Sequence, residues 1–177
     1  MRMEELIERL RRARIGATFN FYRDGDGADA RCERLLGYFR AREHAALLLV
    51  GEAAGYRGAR VSGIPFTSER QLTGKGPAEP TATIVRRTLA ELGLEDETLC
   101  WNVVPTHPHR PARPDTNRSP TRAEIEASRW FVRELARGRM VVAVGRVAQA
   151  ALGAPYIRHP SHGGAQAFRE GLQRLLA

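Results

Sequence analysis

The stretch Ala45-Ala-Leu-Leu-Leu-Val50, closed by Gly51-Glu-Ala-Ala-Gly55, decides the fold. An unbroken apolar run this short, stopped by glycine, suits a strand buried on both faces, and such strands belong to parallel sheets covered by helices. The flanks agree. Upstream, residues 30–43 set Leu35, Leu36 and Phe39 on one helical face, and residues 2–14 do the same with Met3, Leu6, Ile7 and Leu10. Residues 20–29 between them are polar and Gly/Asp-rich, a loop. Downstream, residues 99–104 and 140–144 repeat the short apolar run, and Tyr156-Ile157 offers a short fourth strand. Helical spacing returns over 81–94, 148–152 and 164–176. Thr121, with Glu124 at capping-box spacing, opens another helix that runs to about residue 137. Strands alternating with helices predict an α/β fold, a three-layer α/β/α sandwich around a central, mainly parallel four-stranded sheet. The chain reads as one domain over 1–177. Residues 1–44 form an N-terminal helical part and 45–176 the α/β core.

Loops at the carboxyl ends of such strands usually build the site. Three qualify: 51–66, 105–120 and 159–164. The first lies in a Gly/Pro-rich stretch, 51–79, that shows little periodicity and reads as a long functional loop.

Composition narrows the function. Of 177 residues 42% are hydrophobic and 27% charged, ordinary values for a folding chain. No apolar run approaches the roughly 20 residues that span a bilayer. The N-terminus, MRMEELIERLRRARIG, lacks an apolar signal core. We therefore expect a cytoplasmic protein without a membrane partner. A monomer is expected as well. Basic residues outnumber acidic ones, 28 to 20, for a net charge of +8, which favours a polyanionic partner such as nucleic acid. The basic residues are arginine except Lys75. Cys32 and Cys100 lie far apart and read as partly buried thiols, too few for the four thiolates of an iron–sulfur cluster. His107 and His109 stand at i and i+2 in Thr106-His-Pro-His-Arg-Pro111. Without a local cysteine or carboxylate other than Asp115, they read as DNA-contacting or solvated rather than as metal ligands. No cofactor and no metal are expected.

Several residues carry chemistry. Glycines after a buried strand let backbone amides approach a ligand, but the spacing fits neither G-x-G-x-x-G nor a G-K-[ST] loop. In Arg158-His-Pro-Ser-His-Gly-Gly164 a histidine at a strand end, next to a turn and a hydroxyl, could polarise a ligand oxygen.

Taken together, the motifs resemble those of the uracil-DNA glycosylase superfamily. Gly51-Glu-Ala-Ala-Gly55 resembles its G-E-x-P-G first motif, and Gly63-Ile-Pro-Phe66 its downstream G-x-P-F segment. Trp101-Asn-Val-Val104 and Asn117-Arg-Ser-Pro120 resemble its N-V-V and N-R-x-P elements. Val142-Ala-Val-Gly-Arg-Val-Ala148 resembles the strand and glycine turn before the second catalytic motif, and His159-Pro-Ser161 that motif itself. The resemblance covers about residues 45–176 and implies a monofunctional glycosylase acting on DNA that contains uracil or another deaminated base. Phe66 would stack on the flipped base and Asn102 would pair with its edge. His159, neutral, would donate to the base oxygen on which negative charge develops. Gly51, Ala53 and Tyr56 would complete the base pocket. Ser161, Gly163, Gly164, Arg57 and Arg118, with Arg60 beside them, would hold phosphates.

The departures matter too. Glu52 aligns with the Gln of G-Q-D-P-Y. It could orient water, buttress the pocket or act as general base. Ala53 stands where that branch has its water-assisting aspartate. Ala54 replaces the usual proline, and Gly55 the tyrosine that excludes thymine, a task that could pass to Tyr56. Asn117 stands where a covalently trapping subgroup has histidine, so no covalent adduct is expected. His162 and Gln166 are the candidates for a wedge. Two other readings stay open: an N-glycosidase for free nucleotides or nucleosides, and a non-catalytic binder of uracil-containing nucleic acid.

Overall fold

In a computed structural model, which describes residues 2–177, the apolar run becomes β2 (Leu47–Ala53). Met1, counted above with the N-terminal part, lies outside the described residues. Strand β2 pairs in parallel with β3 (Thr98–Val104) on one side and β5 (Met140–Val144) on the other, and β5 pairs in parallel with β6 (Tyr156–Ile157). The sheet order is β3-β2-β5-β6, with every pairing parallel.

Alternation along β2 builds two cores. Leu48 and Val50 enter one with Leu6 and Leu10 of α1 (Met3–Arg12), Leu35 and Phe39 of α2 (Ala28–Ala41), and Phe131 and Leu135 of α6 (Arg122–Leu135). Leu47 and Leu49 enter the other with Val85 and Leu89 of α5 (Pro80–Glu91) and Phe168 and Leu172 of α8 (Ala165–Leu176). A sheet apolar on both faces must be covered on both, which gives the three layers. A short helix, α7 (Arg146–Leu152), follows Gly145, whose φ of 92° excludes most side chains.

The structure adds what periodicity could not show. The 51–79 segment holds two short helices, α3 (Ala59–Ser62) and α4 (Glu69–Thr73). Neither is long enough to repeat an apolar position. Ser68 and Gln71 close a capping box on α4, the local signal that was available. Likewise β1 (Thr18–Phe19) and β4 (His107–Pro108) form a two-residue antiparallel pair, which fastens the N-terminal part to the 105–120 loop. Among the described residues no helix is long and apolar enough to cross a membrane.

Candidate active site

Register places the site. Gly51 lies opposite Asn102 at the carboxyl ends of β2 and β3. A Cβ on Gly51 would overlap Cζ of Phe66 and come within 2.9 Å of Asn102 Oδ1. Glycine at 51 therefore makes room for the ring and the amide and does not itself face the open space. Phe66 is held at φ 51°, an uncommon conformation for an aromatic residue, and its ring is nearly buried. A cleft of about 410 Å³ opens here, lined by Glu52, Ala53, Phe66, Glu79, Asn102 and His159 among others. The side-chain amide of Asn102 and the carboxylate of Glu52 have no hydrogen-bond partner among the described residues, so both remain available to a ligand.

His159 is defined more closely. The backbone N–H of Ser161 donates to its Nδ1 at 3.2 Å. An atom that accepts from an amide carries no proton, so the proton of the neutral ring sits on Nε2. The Ser161 hydroxyl then donates to the same Nδ1 at 2.7 Å and accepts from His162 Nδ1 at 3.0 Å. Burial, reinforced by the neighbouring His162, lowers the pKa of His159 and favours this neutral form.

A second cleft of about 520 Å³ adjoins the first and is lined by Tyr56, Arg57, Ser161 and Gly163. Arg57 is exposed and carries no ion pair among the described residues. Gly163, at φ 73°, leaves its N–H free of any intramolecular partner there.

One family model, described as Uracil DNA glycosylase superfamily, matches residues 37–174. The chain belongs to the uracil DNA glycosylase superfamily. Among solved structures it is similar to the crystal structure of wild-type SMUG2 from Pedobacter heparinus, with a TM-score of 0.69. The identity is 13%, and the match covers 98% of this chain and 95% of that one, a likeness of fold. No curated protein is similar enough in sequence to match.

Within this superfamily fold, several residues sit otherwise than the motifs implied. Arg118 is not a free phosphate ligand. Its guanidinium makes a two-point fork to Glu124 at 2.7 and 2.8 Å and donates to the carbonyls of Ala17 and His109. Glu124 is 1% exposed, and this partner holds its carboxyl below the ordinary range. Ser161 directs both its donors at His159, so it orients the histidine. The Gly164 N–H donates to Ser161 O and is likewise internal. Tyr56 lines the second cleft, not the first. Its ring lies beneath the Arg60 guanidinium, 4.1 Å away, with Arg60 Nε donating to its carbonyl.

His107 does not meet solvent and lines neither cleft. It is fully buried, with Nδ1 2.9 Å from Ala54 O and Nε2 3.2 Å from Pro114 O, and it ties the first loop to the second. Asn117 strengthens that tie by accepting from the Tyr56 amide at 2.9 Å. Gln166 bonds to Glu170 on its own helix, whereas His162 is exposed and lines both clefts.

Sequence reasoning missed Glu79, the residue before α5. Its carboxylate lies against Gly55 and Gly58, where added Cβ atoms would overlap Oε1 and Oε2. Neither glycine has a positive φ, and the Glu79 carboxylate leaves no room for a Cβ at either position. Burial raises the Glu79 pKa. No motif flags this residue, because its place is set by the packing of α5 on the first loop.

Proposed function

We propose that the protein is a monofunctional DNA glycosylase that hydrolyses the N-glycosidic bond of a flipped-out deaminated base, uracil first, in base excision repair. The observation that carries this reading is the Ser161 N–H donating to Nδ1 of His159, which leaves the ring proton to Nε2. A neutral imidazole with its proton on Nε2 is a donor that adds no positive charge and can meet the oxygen on which the leaving base gathers negative charge. Phe66 supplies a stacking face, and the unpartnered Asn102 amide supplies a donor and an acceptor for the base edge. The methyl of Ala53 offers nothing to a water, so leaving-group stabilisation bears much of the catalysis. The phosphate contacts fall to Arg57 and the Gly163 N–H in the second cleft. Lys75, the only lysine, is exposed and lines neither cleft. No lysine amine is thus placed to form a Schiff base, in keeping with simple hydrolysis.

The test is a panel of oligonucleotides carrying uracil, hypoxanthine or xanthine, with the matching free nucleotides alongside. Alkali-labile sites at uracil are the expected result. Failure to release any base from DNA at stoichiometric enzyme overturns the reading. Release from nucleotides alone moves it to a nucleotide N-glycosidase.

A further inference from the structure

The two clefts meet at the residues they share: Glu79, Thr81, Asn117 and His162. With a base in the first cleft and phosphates against Arg57 and Gly163 in the second, the sugar joining them must cross this boundary. Glu79 is the one carboxylate on it, for Glu52 lines only the first cleft and Asp115 only the second. The Glu79 carboxylate has no hydrogen bond or ion pair among the described residues. Yet the first loop is shaped around it, with Gly55 and Gly58 leaving the space its oxygens fill. A carboxylate half-buried without a partner costs stability, and its persistence here needs a reason outside folding.

We infer that Glu79 is the catalytic carboxylate of this site, holding the attacking water against the anomeric carbon of the sugar and taking its proton. This rests on the glycosylase reading above. The bond between the base nitrogen and C1′ breaks, and its electron pair leaves with the base, whose oxygen accepts from His159 Nε2–H. The water oxygen gives a pair to C1′ and one proton to Glu79. Glu79 returns that proton to solvent, and solvent protonates the base anion. The products are the free base and an abasic sugar with a hydroxyl on C1′. Burial raises the Glu79 pKa, which makes it a stronger base. The other titratable or charged groups facing the two clefts are Glu52, Tyr56, Asp115, His159, His162 and Arg57, with Arg118 already paired to Glu124.

The experiment compares single-turnover uracil release by the wild type, Glu79→Gln, Glu79→Asp and His159→Ala. Glu79→Gln is expected to lose about 10²-fold or more in rate. It should bind DNA carrying an uncleavable 2′-fluoro-deoxyuridine as the wild type does. It should also melt at a higher temperature, because an unpaired buried charge is gone. The wild-type rate should fall on the acid side with an apparent pKa above that of an ordinary glutamate. Protonation of His159 adds its own fall on the acid side, so the Glu79 limb is read in the His159→Ala background, where the double variant with Glu79→Asp should keep it and the one with Glu79→Gln should lose it. Wild-type rates in Glu79→Gln, with His159→Ala impaired, overturn the assignment and leave the glycosylase reading standing. Loss of rate together with lower melting temperature and weaker DNA binding shows a structural role and also overturns it. Should Glu79→Gln not fold, the pH profiles of His159→Ala and of His159→Ala with Glu79→Asp decide, and a missing acid limb there counts against Glu79. No base release by the wild type overturns both readings.

Discussion

A histidine that must donate from Nε2 needs a donor on its other nitrogen, and Ser161 brings two to His159, its amide and its hydroxyl. The amide cannot reverse its polarity, so it sets the tautomer alone, and the hydroxyl reinforces it. Two substitutions separate these roles. His159→Ala should lower the single-turnover rate by about 10²–10³-fold, the usual consequence of removing a donor aimed at developing charge. Ser161→Ala keeps the amide and removes one hydrogen bond, worth ~1 kcal/mol, so about a fivefold loss is expected with unchanged DNA affinity. A large fall in affinity would instead return Ser161 to the phosphates. The residues that sequence marked most clearly were Phe66, Asn102, Glu52 and His159, because each follows a strand or a glycine turn in a recognisable motif. All four line one cleft. What sequence could not show is which partner a donor faces. Ser161, Gly164 and Arg118 were therefore read as open when they are engaged within the chain, and Glu79 was passed over because only the fold brings it to the glycines.

The helix α6 illustrates the same limit at the level of an element. Thr121 and Glu124 announced its start, and the capping box is present, with Thr121 N donating to Glu124 Oε2 at 2.8 Å and Glu124 N to Thr121 Oγ1 at 3.2 Å. The same carboxylate also accepts from Arg118 and from the amide of Ala17, so one side chain joins the helix start, the second loop and the N-terminal part. Arg118→Ala would leave Glu124 buried without its cation. A loss of about 3 kcal/mol is expected, the range found when one partner of a buried pair is removed. Urea denaturation measures it, and a change within error would show that solvent already reaches Glu124. Elements of seven or more residues were largely legible because burial on one or two faces imposes a repeat. Helices α3 and α4 were not, being too short to repeat an apolar position, and neither was the β1–β4 pair, which joins residues distant in sequence.

At the scale of the whole molecule, pH and salt probe different parts of the same surface. Burial lowers the pKa of both His107 and His159. The unfolded chain then binds protons at these positions at higher pH than the native one, so stability should fall as pH drops below the ordinary histidine value and continue to fall until the lowered native values are passed. Thermal melts between neutral and mildly acidic pH check the sign, and His107→Asn should flatten part of the slope. Salt reports on DNA instead. The net charge of +8 draws the chain to any polyanion, but pairing consumes much of the arginine. Each phosphate neutralised by a free cation adds about 0.9 to the slope of log K against log salt on duplex DNA. Arg57, exposed and unpaired beside the second cleft, should contribute one such contact, so Arg57→Ala should make the slope shallower by about that amount. Arg118→Ala, at a temperature where it stays folded, should leave the slope unchanged because its charge already belongs to Glu124. Equal slopes for wild type and Arg57→Ala would move the phosphate path away from the second cleft. The sugar would then no longer need to cross the boundary at Glu79, so this one titration bears on the phosphate path and on the catalytic carboxylate together.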